Sequence, residues 1–259
     1  MIVREIKDSD EIWLISQVHH GWQTGQIARL WGNEHSSVPE PKEDLIMAAS
    51  LHDIGWLNWE MNLDIHPETG LPYNFLEMPS GSHLDIWRNG TEYGKQFGTL
   101  IALLILRHNA GLAGKQNFDS LGPEKKKLYE SFFEENDRVE SGLLNILRDD
   151  PRVERYCEEE RLSTLNRHLL LWDYLSLRLC MGAENESPFG SPPSPDGKNY
   201  HLEPVSDKGV DGFYLSPWPF YVKEVHLKTE VRILNKDEIG QKELGTIEPE
   251  IRVMSFLKA

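Results

Sequence analysis

The sequence predicts a mainly α-helical protein, a helical bundle with a small appended β-sheet. Three observations support this class. Apolar residues recur at helical spacing through most of residues 17–180, alternation typical of strands is confined to the two ends, and a stretch rich in Pro, Ser and Gly lies between the two patterns. The content of 39% hydrophobic and 27% charged residues is that of a folded globular chain.

Two domains are expected from this change of pattern. Residues 1–185 would form the helical domain, and residues 186–259 would form a linker and a C-terminal β appendage. Alternation over 221–234 and 247–256 predicts the strands of the appendage. N-terminal strands within residues 1–15 could join that sheet, although the polar turn at 7–10 could instead begin a helix.

The helical part divides into five predicted segments. Their bounds follow from apolar stripes and from Pro and Gly punctuation, and they are 17–31, 42–56, 83–108, 125–150 and 152–180. The intervening stretch 58–82 is rich in Pro, Gly and aromatic residues. A loop of this length within a compact domain is commonly functional, so we expect an ordered cover.

Charge and cysteine content narrow the classes of partner. The chain has 42 Asp and Glu against 27 Lys and Arg, a formal net charge of −15, which disfavours nucleic acid and anionic membrane surfaces. No apolar run is long enough to cross a membrane, and two cysteines do not suggest a disulfide framework. We therefore expect a cytoplasmic protein with a small-molecule partner. Whether the protein forms an oligomer is left open by the sequence.

Three predicted helices place a metal-competent side chain on an apolar stripe: His20, His52 and Asp173. An isolated histidine in such a place is more often a hydrogen-bonded core residue than a ligand. A carboxylate among leucines, however, needs a cation or several donors as partners. Taken together, the three positions predict a metal site.

Asp53 follows His52 directly, and the two side chains diverge by about 100° on a helix, so both can reach one ion at its edge. Imidazole and carboxylate suit Fe, Mn or Zn, and a carboxylate also suits Mg. His83 and His108 bracket the third helical segment. They could hold a second ion, or either could hydrogen-bond a helix end.

The order His20, His52 and Asp53, then Asp173 resembles the HD superfamily, whose motif the stretch LHDIG at 51–55 also matches. The resemblance spans residues 17–180. It implies a helical metal-binding domain in which these four residues hold a divalent ion and Asp53 bridges or orients the attacking water. His83 and His108 resemble the extra ligands of its two-metal branch, which includes phosphodiesterases and di-iron oxygenases.

A second resemblance covers the whole chain. The segments HDIGW, PETGLPYNF, DYLSLRLC and PWPF are similar to those of an uncharacterised bacterial family whose members have no established activity. This similarity adds no substrate.

We therefore expect a metal-dependent phosphohydrolase or phosphodiesterase acting on a small phosphorylated molecule. The candidate substrate contacts, close in sequence to the ligands, are Trp56, Asn58 and Arg107. Trp56 stands where many HD hydrolases carry a polar residue, which together with the paired histidines keeps a di-iron oxygenase as an alternative. A metal-binding regulatory module without catalysis is the third hypothesis.

Overall fold

Helices and a sizeable sheet both contribute to the fold. In the computed structural model, which describes residues 1–182, 190–206 and 209–259, 49% of the chain is helical and 18% is in strands. The predicted mainly α class is therefore wrong, and the fold is mixed α/β. The physical reason is that the N-terminal hairpin and the C-terminal strands join one six-stranded sheet. Each of these segments is short in the sequence, but together they form a large part of the fold.

The sheet contains both antiparallel and parallel pairs. Its strands are β1 (Ile2–Glu5), β2 (Glu11–Ile15), β3 (His201–Pro204), β4 (Gly212–Ser216), β5 (Glu224–Asn235) and β6 (Glu250–Lys258). They lie in the order β1-β2-β5-β6-β4-β3, and β4 pairs with β6 in parallel while the other neighbours are antiparallel. In β5, Val225, Leu227 and Val231 alternate with exposed residues and enter the core, as one buried sheet face requires.

The described residues also form seven α-helices. They are α1 (Gln17–Leu30), α2 (Lys42–Leu51), α3 (Leu57–Glu60), α4 (Ser80–Gly94), α5 (Thr99–Ala113), α6 (Pro123–Arg148) and α7 (Glu159–Met181). The predicted segment 83–108 is two helices, because the chain breaks at Gly98, whose φ of 150° is disfavoured for residues with a side chain. Ser16 caps the start of α1 by accepting from the backbone N–H groups of Val18 and His19.

α1 and α2 approach each other closely because small residues meet at their contact. A Cβ added to Gly25 would overlap the hydroxyl of Ser50, and one added to Gly21 would lie 3.0 Å from the Ser50 carbonyl oxygen. Packing at this distance brings the face of α1 that carries His20 up to the end of α2, next to His52. The glycines therefore help to assemble the candidate site.

The helices pack directly on the sheet. α1 contacts β5, and α7 contacts β1 and β6. The side-chain amide of Gln26 in α1 exchanges two hydrogen bonds with the backbone of Lys228 in β5, at 2.8 and 2.9 Å. Arg4 of β1 donates to the carbonyl oxygen of Leu179 near the end of α7. One hydrophobic cluster runs through both layers.

The predicted division into residues 1–185 and 186–259 falls at a boundary outside the described residues, and it stays a prediction. Among the residues that the structure describes, no helix has both the length and the apolar character needed to cross a bilayer.

Candidate metal centre

Four helices and one short 3₁₀ segment bring five metal-competent side chains together. His20 lies in α1, His108 in α5 and Asp173 in α7, while His52 follows the last residue of α2 and Asp53 precedes the 3₁₀ turn Ile54–Trp56. All five residues are buried. The helices whose apolar faces form the core thus carry these polar groups into it.

Asp173 lies at the centre of the group. Its Oδ1 is 2.9 Å from His20 Nε2 and 3.4 Å from His52 Nε2, and its Oδ2 is 3.5 Å from His108 Nε2. Asp53 Oδ2 lies 3.4 Å from His52 Nε2 and 4.0 Å from His20 Nε2. One ligand atom each from His20, His52 and Asp173 falls within a span of 4.8 Å, so this buried cluster could hold a metal ion.

The hydroxyl of Ser176 determines which nitrogen of His20 carries a proton. Its Oγ lies 2.8 Å from His20 Nδ1 and 2.8 Å from Gln23 Oε1. Because an amide oxygen only accepts, the hydroxyl donates its one proton to Gln23, and His20 Nδ1–H donates to the hydroxyl. The other nitrogen, Nε2, is then directed at the carboxylates.

His52 is oriented by the backbone in the same sense. Its Nδ1 lies 2.9 Å from the carbonyl oxygen of Ala49, which can only accept, so Nδ1–H donates and Nε2 faces the cluster. Histidine ligands in metal sites commonly donate their second ring N–H to a carbonyl or a similar acceptor, which fixes the tautomer. The local backbone at the end of α2 supplies this acceptor.

The chemistry of the donor set fits a divalent cation. With both Nδ1 atoms protonated, the Nε2 atoms of His20 and His52 face carboxylate oxygens, and His20 Nε2 needs a proton or a cation to lie 2.9 Å from Asp173 Oδ1. His52 Nε2 and both ring nitrogens of His108 have no hydrogen-bond partner among the described residues. Acceptors that face one another away from water need a positive charge between them. A cation provides it, and so does protonation of an imidazole.

The pKa values of the clustered histidines and aspartates reflect the balance between burial and neighbouring charges. Burial disfavours the imidazolium of His52, but Asp53 and Asp173 outweigh burial and raise the pKa of His52 well above its usual value. Burial lowers the pKa of His108 to about 4. Burial also opposes ionisation of Asp173 and Asp53, yet the neighbouring histidines hold the pKa of Asp173 well below its usual value and lower that of Asp53. The carboxylates are therefore anionic at neutral pH, as ligation requires.

A cavity of about 100 Å³ opens onto this cluster. Asp53, His108 and Asp173 form its floor, and Lys115 and Gln17 add polar groups to its wall. Much of the remaining wall is apolar or aromatic, and it includes Trp56, Phe75, Trp87, Leu112, Leu170 and Leu177. A small molecule in this largely apolar cavity could therefore contact the carboxylates of Asp53 and Asp173 and the ring of His108.

His83 lies in the cavity wall rather than in the cluster. Its ring packs between Trp56 and Trp87, with centroid distances of 5.2 and 4.2 Å. Burial lowers its pKa to about 4, so the ring is neutral. Among the described residues no carboxylate oxygen lies within 4.0 Å of its nitrogens. The structure thus places His108 beside His20, His52 and Asp173. His83, which was predicted to hold a second ion together with His108, lies outside this cluster.

The three predicted substrate contacts are placed differently. Trp56 is buried and lines the cavity. Asn58 is exposed on α3, and Arg107 is directed at Glu140 and Glu159, with its Nε 2.7 Å from Glu140 Oε1 and its Nη2 2.6 Å from Glu159 Oε2. Neither residue lines the cavity. Proximity in sequence does not specify a helix face, which is why these two positions point elsewhere.

Four polar residues beside the cluster are not among those predicted from the sequence: Gln17, Gln23, Lys115 and Ser176. A signal was present in the helical spacing. Gln17 and Gln23 lie three residues before and after His20, and Ser176 lies three after Asp173, so all share a helix face with a ligand. Lys115 follows His108 by seven residues and lies just beyond the end of α5.

Comparison with known proteins gives one family. No curated protein and no solved structure matches the chain. A family model described as "Protein of unknown function (DUF3891)" matches residues 1–236, which is most of the chain. The chain therefore belongs to the DUF3891 family of proteins of unknown function.

Proposed function

We propose that the protein is a metal-dependent phosphohydrolase of the HD type, acting on a small phosphorylated molecule. One observation carries the proposal: His20, His52 and Asp173 converge in a buried cluster beside Asp53, and Asp53 and Asp173 also line a cavity. The order of these residues along the chain resembles the HD pattern. Their separation in sequence makes convergence by chance packing a poor explanation, since buried charges are costly without a partner.

His20, His52 and Asp173 would hold the ion, and Asp53 and His108 stand close enough to complete its ligand set. A divalent ion there would lower the pKa of a water ligand and polarise a phosphoryl oxygen. The protein's own contribution is to orient the imidazoles of His20 and His52 with their Nε2 atoms facing inward. Ser176 and the Ala49 carbonyl fix this orientation before any ligand arrives.

Asp53 is the candidate catalytic residue. Its carboxylate belongs to the cluster through His52 and also borders the cavity, so it can contact both the ligands and an incoming substrate. An anionic carboxylate in this place can orient a water molecule and accept its proton. Asp173, by contrast, is surrounded by three histidines and is better placed to bind the ion.

The geometry favours one ion over two. His108 contacts Asp173, the centre of the first group, and His83 packs between two indoles. A second ion would need His83 to turn away from Trp56 and Trp87. One divalent ion per chain is therefore the stoichiometry that we propose.

The test combines metal analysis with an activity panel. Full-length protein purified without chelator should contain about one equivalent of Mn, Fe, Zn or Mg and should hydrolyse phosphoesters. Asp173→Asn and His52→Ala should lose the ion, whereas Asp85→Asn and His35→Ala, which change exposed residues, should retain it. Wild-type protein without metal would contradict the proposal.

Two outcomes would favour the alternatives. Protein that holds two irons and consumes oxygen without hydrolysing phosphoesters would be an oxygenase. Protein that retains one ion but acts on no compound of the panel would be a metal-binding regulatory module.

A further inference from the structure

Gln17 is a buried polar residue of the cavity wall to which the proposed mechanism gives no role. It is the first residue of α1, only 2% of it is exposed, and it lines the cavity together with Asp53 and Asp173. It lies one turn before His20, so the two side chains are neighbours on one face of the helix. The amide of Gln17 therefore lies near the residues proposed to hold the ion.

The side-chain amide of Gln17 does not support the fold through hydrogen bonds. Among the described residues its Oε1 has no partner, although this atom is completely enclosed. Its Nε2 also makes no hydrogen bond to the described residues, but this atom is not completely enclosed. Buried polar groups without a partner lower stability and are rare in folded proteins. The Nε2–H group can therefore donate to a molecule in the cavity.

The backbone that carries this amide is held in place by a buried carboxylate. The N–H of Gln17 donates to Glu60 Oε1 at 2.7 Å, and Ser16 Oγ donates to Glu60 Oε2 at 2.5 Å. Ser16 Oγ in turn accepts from the N–H groups of Val18 and His19. The first N–H groups of α1 are thus occupied, and the side chain of Gln17 is the donor that this end of the helix presents to the cavity.

A neutral N–H donor in this position suits a phosphoryl oxygen. The nonbridging oxygens of a phosphoryl group carry negative charge, and a fixed donor stabilises this charge during phosphoryl transfer. Because the amide is uncharged, it can stand near a cation without repelling it. A carboxylate in its place would repel the phosphoryl group.

Resting on the proposed function, we propose that Gln17 is a substrate-binding residue whose Nε2–H donates to a nonbridging oxygen of the phosphoryl group. The contact recognises the phosphoryl group and not the organic part of the substrate. Inorganic phosphate and phosphoesters of different alcohols should therefore depend on it alike.

The first test measures phosphate binding and does not require catalysis. Inorganic phosphate is titrated into full-length protein loaded with Mn²⁺ in a calorimeter. Gln17→Met, which is similar in size but has no N–H, should weaken binding about tenfold while the metal content stays unchanged. Gln17→Glu should weaken binding further, because its carboxylate repels phosphate. Gln96→Met changes an exposed glutamine and should leave the affinity unchanged.

Thermal unfolding distinguishes a binding role of Gln17 from a structural one. In the metal-free protein, Gln17→Met should raise the Tm by about 2 to 4 °C, because an apolar side chain replaces a buried amide without a partner. A side chain that held the fold together would lower the Tm when replaced. A lower Tm combined with an unchanged phosphate affinity would overturn the inference.

Hydrolysis of p-nitrophenyl phosphate separates this inference from the proposed function. Gln17→Met should lower kcat about 100-fold, as removal of one donor to a developing negative charge commonly does. Phosphate binding that responds to both variants, without hydrolysis of any phosphoester, would overturn the hydrolase and support the contact. Hydrolysis whose kcat and KM are unchanged in Gln17→Met, together with an unchanged phosphate affinity, would overturn the contact while the hydrolase stands.

Discussion

Ser176 is a neutral residue that binds no ion in our proposal, yet it controls a ligand. Its hydroxyl passes a hydrogen bond from His20 Nδ1 to the amide oxygen of Gln23, and this direction leaves His20 Nε2 as the inward-facing atom. The relay is fully buried. Water therefore cannot replace a missing member easily.

Ser176→Ala should weaken metal binding about 10- to 100-fold, as loss of a group that orients a metal ligand commonly does. Ser176→Thr keeps the hydroxyl, so its affinity for the ion should be closer to that of the wild type than the affinity of Ser176→Ala is. Competition with a chromogenic chelator measures the affinity. Ser141→Ala, which removes an exposed hydroxyl from α6, is the control, and an unchanged affinity in Ser176→Ala would refute the relay.

The candidate ligands are easier to predict from the sequence than the residues that orient them. A histidine or an aspartate on an apolar stripe stands out, which is why His20, His52 and Asp173 could be proposed from sequence. Ser176 and Gln23 are unremarkable in a helix, and only their spacing from a ligand gives them meaning. Arg107 shows the converse, because it is close to His108 in sequence but pairs with glutamates on another face.

At the scale of the element, the contact between α1 and α2 controls the separation of two ligands. Gly25→Ala would force the added methyl group against Ser50 and push the helices apart. We expect a loss of about 1 to 3 kcal/mol in the free energy of unfolding, the usual cost of overpacking, together with weaker metal binding. Urea denaturation and chelator competition measure the two effects.

Gly142→Ala is the matched control for this substitution. Gly142 lies within α6, and an added Cβ there meets no atom within 4 Å. Alanine should therefore stabilise the protein by about 0.5 to 1 kcal/mol through helix propensity alone. Equal effects of the two substitutions would contradict the close contact of α1 with α2.

The segment before β3 is fixed to the turn after α1 by Asp196. Its carboxylate accepts from Ser36 Oγ at 3.3 Å and from Tyr200 Oη at 3.1 Å, and Lys198 Nζ lies 2.8 Å away. Burial works against ionisation, but Lys198, Ser194 and Tyr200 outweigh it and lower the pKa of Asp196 to about 2. The folded state therefore holds the anionic form.

This lowered pKa gives a pH-dependent contribution to stability. The stabilisation is fully present above the unfolded-state pKa of about 4 and is lost as the pH falls through about 2. At pH 7, Asp196→Asn should lower the free energy of unfolding by about 1 kcal/mol after allowance for solvent screening. The difference from wild type should shrink below pH 4 in urea titrations, and Asp119→Asn, at an exposed site, should show no such trend.

For the whole molecule, a bound ion would link four helices that are far apart in sequence. Saturation at 100 times the dissociation constant should add about 2.7 kcal/mol to the free energy of unfolding. Wild-type protein should therefore show a higher Tm with Mn²⁺ than with a chelator in calorimetry. Asp173→Asn should lose this difference, and a wild-type Tm indifferent to the ion would contradict the site.

Helix positions could be predicted from the sequence more reliably than the fold class. Apolar stripes have a local period, so the predicted segments 17–31 and 125–150 lie within two residues of α1 and α6. The predicted segments 42–56 and 152–180 overrun α2 by five residues and α7 by seven. The pairing of β2 with β5 joins residues more than two hundred positions apart, and no local pattern encodes it. The sequence therefore predicts the terminal strands only as a small appended sheet. In the structure they form a six-stranded sheet that packs on α1 and α7.

The amide of Gln26 has a consequence for how the cage could respond to an ion. It joins α1 to β5 as an extra peptide group would, and Arg4 ties α7 to β1, so His20 and Asp173 sit on supports anchored to the sheet. His52, Asp53 and His108 come from elements that pack mainly on other helices. Half of the candidate cage is thus anchored to the sheet and half to other helices, and we expect adjustment to ions of different radius to occur in the second half.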